Sequence, residues 1–159
     1  MATEGKNLSS YDPDKIPDAS DLRCGIVVSE WNSEITGALL QGALQTFKVN
    51  GVADQDIFVT WVPGSFELAL GAQFLIEKYA LDTVVCLGSV IQGETRHFEF
   101  VCNSTAKGIM DVSLNTGRPV IFGVLTDNDI EQARARSGGK HGNKGVECAI
   151  AAIKMALLQ

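Results

Sequence analysis

Only two histidines occur in the chain, and His97 comes two residues after Thr95 in the run Gly93-Glu94-Thr95-Arg96-His97. An imidazole with an ordinary pKa near ~6.5 moves protons at neutral pH. The preceding glycine turn opens a helical pattern, where unpaired N–H groups and the positive end of the helix dipole suit a phosphate; an ordinary helix start is the plainer reading. Arg136 ends another helical pattern, where a cation suits the dipole in any case, and a guanidinium is also a bidentate phosphate ligand. Trp31 follows an apolar run and is flanked by Glu30 and Asn32. It is either core filler or a stacking platform for a planar heterocycle. Pro63-Gly64-Ser65 reads as a strand-to-helix turn that leaves backbone N–H groups free, and Glu67 either complements a helix dipole or accepts hydrogen bonds from substrate hydroxyls.

These residues need a scaffold, and the hydrophobic pattern supplies one. Four short apolar, β-branched runs at 24–29, 57–62, 83–90 and 119–125 read as strands covered on both faces, as in a parallel sheet. Between them lie segments with helical period. One has Ser33 as its cap and Ile35, Leu39, Ala43 and Phe47 inward; a second opens at Ser65 with Leu68, Ala72 and Leu75 inward; a third runs from Phe98 to a stop near Gly117, with His97 expected one turn inside it. Asp127 or Asn128 caps a short helix through Arg136, and a Gly-rich joint at 137–145 leads to the last helix. The alternation βαβαβαβαα predicts a three-layer αβα sandwich, a flavodoxin-like four-stranded parallel sheet with helices on both faces. Residues 1–21 read as an N-terminal arm and 22–159 as the single α/β domain. In open sheets of this kind ligands bind beyond the carboxyl ends of the strands, where Trp31, the Pro63-Gly64-Ser65 turn, Glu67 and the run from Gly93 to His97 fall.

Composition narrows the chemistry. Thirteen Lys and Arg against nineteen Asp and Glu leave a net charge of −6, which disfavours nucleic acid and anionic membranes as partners. No apolar run reaches the roughly 20 residues of a membrane span, and the N-terminus lacks the pattern of a standard export signal. Cys24, Cys86, Cys102 and Cys148 sit among apolar neighbours without metal or redox spacing, so they read as buried free thiols in a reducing compartment. The 137–145 joint lacks the G-x-x-x-x-G-K-[ST] register and follows a helix, so it is not a nucleotide loop. What remains is a site without cofactor or metal for a flat ring plus a phosphate, served by one titratable base.

The chain resembles the lumazine synthase family over about residues 22–158. The most specific motifs are Val62-Pro63-Gly64-Ser65-Phe66-Glu67, the run 88–101 with Gly93-x-Thr95-x-His97-Phe98-Glu99, Pro119-Val120-Ile121-Phe122-Gly123-Val124-Leu125-Thr126, and Gly142-Asn143-Lys144-Gly145. The resemblance implies the penultimate step of riboflavin biosynthesis, condensation of 5-amino-6-(D-ribitylamino)uracil with 3,4-dihydroxy-2-butanone 4-phosphate. On that basis Trp31 stacks on the pyrimidine, Ser65, Phe66 and Glu67 hold that substrate and its ribityl chain, and Ser89, Val90 and Ile91 line the ring's edge. Glu94, Thr95 and Arg136 hold the phosphate, and His97 transfers protons. Phe122 and Arg136 are expected to reach in from an adjacent subunit. Glu94 stands where many relatives carry a small residue, and Trp31 offers a larger face than the Phe common there, which implies weak binding of the flavin end product. The family also implies pentamers; the compact 137–145 joint is similar to that of members forming shells of sixty subunits. A cytoplasmic location and riboflavin synthase as a partner follow from the same resemblance. The competing readings are a non-catalytic flavin- or phosphate-binding carrier and an inert shell.

Overall fold

The computed structural model describes residues 7–158. Four strands, β1 (Cys24–Ser29), β2 (Ile57–Val62), β3 (Thr83–Ile91) and β4 (Val120–Asp127), form one parallel sheet in the order β2-β1-β3-β4. The helices are α1 (Ser33–Val49), α2 (Leu68–Tyr79), α3 (His97–Thr116), α4 (Ile130–Arg136) and α5 (Lys144–Ala156). The expected three-layer sandwich is what forms. Because side chains alternate along a strand, Ile26 and Val28 face a core with Leu39, Phe47, Ala149 and Ile153 of α1 and α5, whereas Val27, Val84 and Cys86 face Leu68, Leu75 and Ile109 of α2 and α3.

Covering on both faces holds for the central strands β1 and β3 and fails at the edges. Val59 and Trp61 of β2 are 40% and 44% exposed, and Phe122 of β4 is 38% exposed. Apolar runs report burial of some kind but do not say whether a neighbouring element of the same chain supplies it. Two caps also differ from expectation. Asn32, not Ser33, precedes α1, in left-handed backbone (φ 58°) without a side-chain cap bond. Asp129, not Asp127 or Asn128, caps α4, its Oδ1 accepting from Gln132 N at 2.8 Å. Ser65 opens a single 3-10 turn (Ser65–Glu67) that leads into α2. The 137–145 joint folds into a small antiparallel pair, β5 (Ser137–Gly139) and β6 (Gly142–Asn143). The arm docks there: Leu8 N donates to His141 O at 2.7 Å and Asn143 N to Ser9 Oγ at 2.9 Å. Cys24, Cys86 and Cys148 are buried free thiols as expected, burial pushing the Cys24 and Cys148 thiols up to about 12, while Cys102 is only half-buried.

Among the described residues no helix is long and apolar enough to cross a membrane, and no group of three or more His, Cys, Asp or Glu could hold a metal ion.

Candidate active site

The carboxyl ends of β1, β2 and β3 and the start of α3 enclose a cleft of about 430 Å³. Parallel strands bring these ends together, and short turns fix them. Glu30 N donates to Val62 O at 2.8 Å, joining the exits of β1 and β2. Asn32 Nδ2 donates to Ser89 O at 2.9 Å, joining β1 to β3. The turn at Ser65 lies directly on β3, where a side chain on Gly88 would put its Cβ 2.6 Å from Ser65 Oγ. Thr105 Oγ1 of α3 donates to Ser65 O at 3.1 Å and anchors the same turn from the other side.

Trp31, Ser65, Phe66, Ser89, Val90, Ile91, Thr95 and His97 all line this cleft, as do Phe98 and Val101. Trp31 is 71% and Phe66 61% exposed, so two aromatic faces stand open at the mouth rather than filling the core. Ser89 is buried and its Oγ has no hydrogen-bond partner. His97 is the first residue of α3, not one turn inside it, and its N–H points to Thr95 Oγ1 at 3.4 Å. That position leaves the imidazole exposed at the cleft wall. Glu67 and Glu94 are exposed and lie outside the cleft's lining. Apart from any proton on His97, the lining side chains carry no charge.

Phe122 and Arg136 belong to a second cavity of about 320 Å³, lined also by Leu8, Thr126, Asp127, Gln132 and Lys144, which shares no lining residue with the first. Lys144 Nζ bonds Glu147 Oε1 at 2.7 Å. Arg136 Nη1 donates to Gln132 O at 3.1 Å and lies 3.8 Å from Asp127 Oδ1. Burial pushes the Asp127 carboxyl above its ordinary range; the Arg136 charge opposes this and Asp129 adds to it.

Three residues carry more of this geometry than their sequence context indicated. Asn32 stood beside Trp31 as a polar flank, and its left-handed backbone leaves no mark in hydrophobic periodicity. Lys144 lay inside the quoted Gly142-Asn143-Lys144-Gly145 motif without a role. Asp127 read as a helix cap, and no pattern in the chain announces that β4 runs two residues further and buries it.

Residues 21–159 match the family model described as 6,7-dimethyl-8-ribityllumazine synthase. Proteins of that name are similar across nearly the whole chain. The Christiangramia forsetii protein is 60% identical, over 100% of this chain and 95% of its own length. The Flavobacterium johnsoniae protein is 54% identical over 100% and 84%, and the Cytophaga hutchinsonii protein 55% identical over 98% and 97%.

Proposed function

The chain belongs to the 6,7-dimethyl-8-ribityllumazine synthase family and is a transferase of riboflavin biosynthesis, and from that premise we propose that its two cavities are halves of one active site completed between neighbouring copies. One observation carries this reading. The cleft has aromatic faces, a helix start and an imidazole but no fixed cation, whereas the second cavity has two cations and a half-exposed Phe122. A flat, hydroxylated amine and a ketone phosphate need both sets.

In the assembled site Trp31 and Phe122 sandwich the pyrimidine of the ribitylaminouracil, while Ser65, Phe66 and Glu67 hold its ribityl chain and the backbone at Ser89, Val90 and Ile91 reads the ring's edge. The turn at Glu94 and Thr95 offers N–H groups to the phosphate of the butanone, and Arg136 supplies the charge. The amine adds to the ketone and one water leaves as the imine forms; phosphate is eliminated, the resulting enol becomes a carbonyl, and the ribityl-bearing nitrogen adds to it and closes the second ring with loss of a second water. Each step moves a proton near the ketone carbons, and His97 at the cleft wall is placed to give and take it. Holding the two reactants in register is worth roughly 7–11 kcal/mol, more than one acid–base group supplies.

The self-association that this requires has a surface available. Val59 and Trp61 on the open edge of β2, Leu70 and Phe74 on α2, and Phe100, Met110 and Leu114 on α3 are all exposed, more large apolar surface than a solitary subunit ordinarily leaves in water. We infer pentamers, with the compact hairpin at β5 and β6 favouring closure into a sixty-subunit shell, riboflavin synthase as a second partner, and a cytoplasmic location. Of the 1–21 arm expected on the 22–159 domain, residues 1–6 lie outside the described residues and residues 7–21 serve as the arm. Nothing in the structure favours the non-catalytic carrier.

Mixing the purified protein with both substrates should yield the fluorescent lumazine; a protein that binds both and forms none overturns the reading. Co-assembling a Glu67→Ala chain with an Arg136→Ala chain should give a higher kcat/KM at low substrate than either variant shows alone. No gain on co-assembly would place both residues in a site within one chain.

A further inference from the structure

Asp127 ends β4 at the carboxyl edge of the sheet, its main-chain O accepting from Gln92 N at 2.9 Å, and its side chain is 7% exposed. Oδ1 lies 3.8 Å from Arg136 Nη1, beyond hydrogen-bond distance, and Oδ2 is buried with no hydrogen-bond partner. A buried carboxylate oxygen without a donor is costly, and the cost is removed either by a proton or by an arriving donor. Asp127 belongs to the wall of the cavity that holds Arg136 and Lys144. Each of those cations already has a carboxylate of its own, Asp127 for Arg136 and Glu147 for Lys144. The cavity is therefore charge-balanced before any anion enters it.

The charged groups around Asp127 are few. Arg136 faces it from α4, Asp129 from the loop after β4, and the Lys144–Glu147 pair from α5; β3 contributes the uncharged Gln92 backbone. A dianion on Arg136 lies within a few ångströms of Asp127, and two like charges that close in a partly buried site disfavour each other by tenfold or more in binding at an effective dielectric of about 20. A proton on Asp127 converts the repelling carboxylate into an O–H donor with a free acceptor beside it.

The geometry points to Asp127 as a proton-operated counter-ion: an oxyanion seats on Arg136 together with one proton taken up by the Asp127 carboxylate, and return of that proton to solvent restores the Asp127–Arg136 pair and releases the anion. This rests on Arg136 being the phosphate site. It makes Asp127 a positioning residue, acting on substrate and released phosphate through Arg136, and it gives phosphate release a built-in competitor.

The test measures sulfate affinity of the assembled protein between about pH 5 and 9, because sulfate stays a dianion over that range while phosphate itself titrates. Wild type should weaken by about tenfold or more as pH rises, and Asp127→Asn should lose that slope and bind more tightly than wild type at the upper end. Equal slopes in the two proteins overturn the proposal. Arg136→Ala should lose sulfate at every pH; if it binds as wild type does, the assignment of the phosphate site falls, whereas loss in Arg136→Ala with an unchanged slope in Asp127→Asn removes only the role of Asp127. Infrared difference spectra of the wild type guard against a variant that fails to fold. A protonated-carboxyl band should grow on adding sulfate, and its absence likewise overturns the proposal.

Discussion

Asn32 and Ser89 are 57 residues apart in sequence and joined by a 2.9 Å hydrogen bond from Asn32 Nδ2 to the Ser89 carbonyl. The bond crosses from the exit of β1 to that of β3 and fixes the loop that carries Trp31. Asn32 makes it from left-handed backbone, a conformation Asn tolerates better than most residues.

Asn32→Ala should therefore lose the bond and strain the backbone together, costing about 2 kcal/mol of stability, while Asn32→Gly keeps the backbone at ease and loses mainly the bond. Both should raise KM for the ribitylaminouracil severalfold. Thermal melts and steady-state kinetics check this; an alanine variant that matches wild type in both would show that the tie is incidental.

His97→Ala should retain substantial turnover, because an acid–base group contributes on the order of 10²–10⁴-fold while positioning contributes more. Arg136→Ala should instead raise KM for the butanone phosphate. Complete loss of turnover in the first, or an unchanged KM in the second, contradicts this division of labour.

The strands, the helices between them and the cleft residues from Trp31 to His97 were legible because each depends on local pattern: β-branched runs, 3.6-residue spacing and turn residues at strand exits. What escaped depends on tertiary placement. Ser33 is as good a cap by type as Asn32, and Asp127 or Asn128 as Asp129; only the directions in which the chain leaves β1 and β4 decide between them. The exposed faces of β2 and β4 look like buried runs because the pattern records that a side chain is apolar, not whether an element of the same chain covers it. Asp127 carries the ordinary signature of a cap, and its burial follows from β3 and β4 pairing out to Ile91 and Asp127.

Gly145 lets α5 lie against α1. A Cβ there would collide with the carbonyl oxygen of Leu39, a backbone atom that cannot swing aside. Gly145→Ala should cost about 3 kcal/mol, whereas Gly37→Ala, on a helix with nothing near its missing Cβ, should stabilise by about 0.5–1 kcal/mol. Denaturant midpoints of the two variants should move in opposite directions; movement in the same direction refutes the packing argument.

Stability should also depend on pH through Asp127. Its folded-state pKa is raised by burial, so the contribution it makes is full below the ordinary carboxylate value near ~3.9 and is lost as pH rises through the raised value. Asp127→Asn removes that loss, and its melting temperature should gain on wild type as pH rises from about 4 to 7. Parallel pH profiles would show that the carboxyl does not titrate differently on folding. Glu34 is the opposite case: hydrogen bonding to the Arg134 guanidinium holds its carboxyl below the ordinary range, so its contribution fades on acidification.

Riboflavin should quench the emission of Trp31, which stands 71% exposed at the cleft mouth. Trp61 on β2 is the other indole, so the titration belongs in a Trp61→Phe background. Unchanged emission would mean that the wider indole face does not admit the flavin.

The cleft and the cation-bearing cavity share no wall. If each copy brings only half of the machinery, as proposed above, a freshly made chain is inert and stays so until it meets its neighbours. Turnover per chain then falls on dilution even though every chain remains folded, and a point change far from either half abolishes activity simply by weakening the handshake between copies.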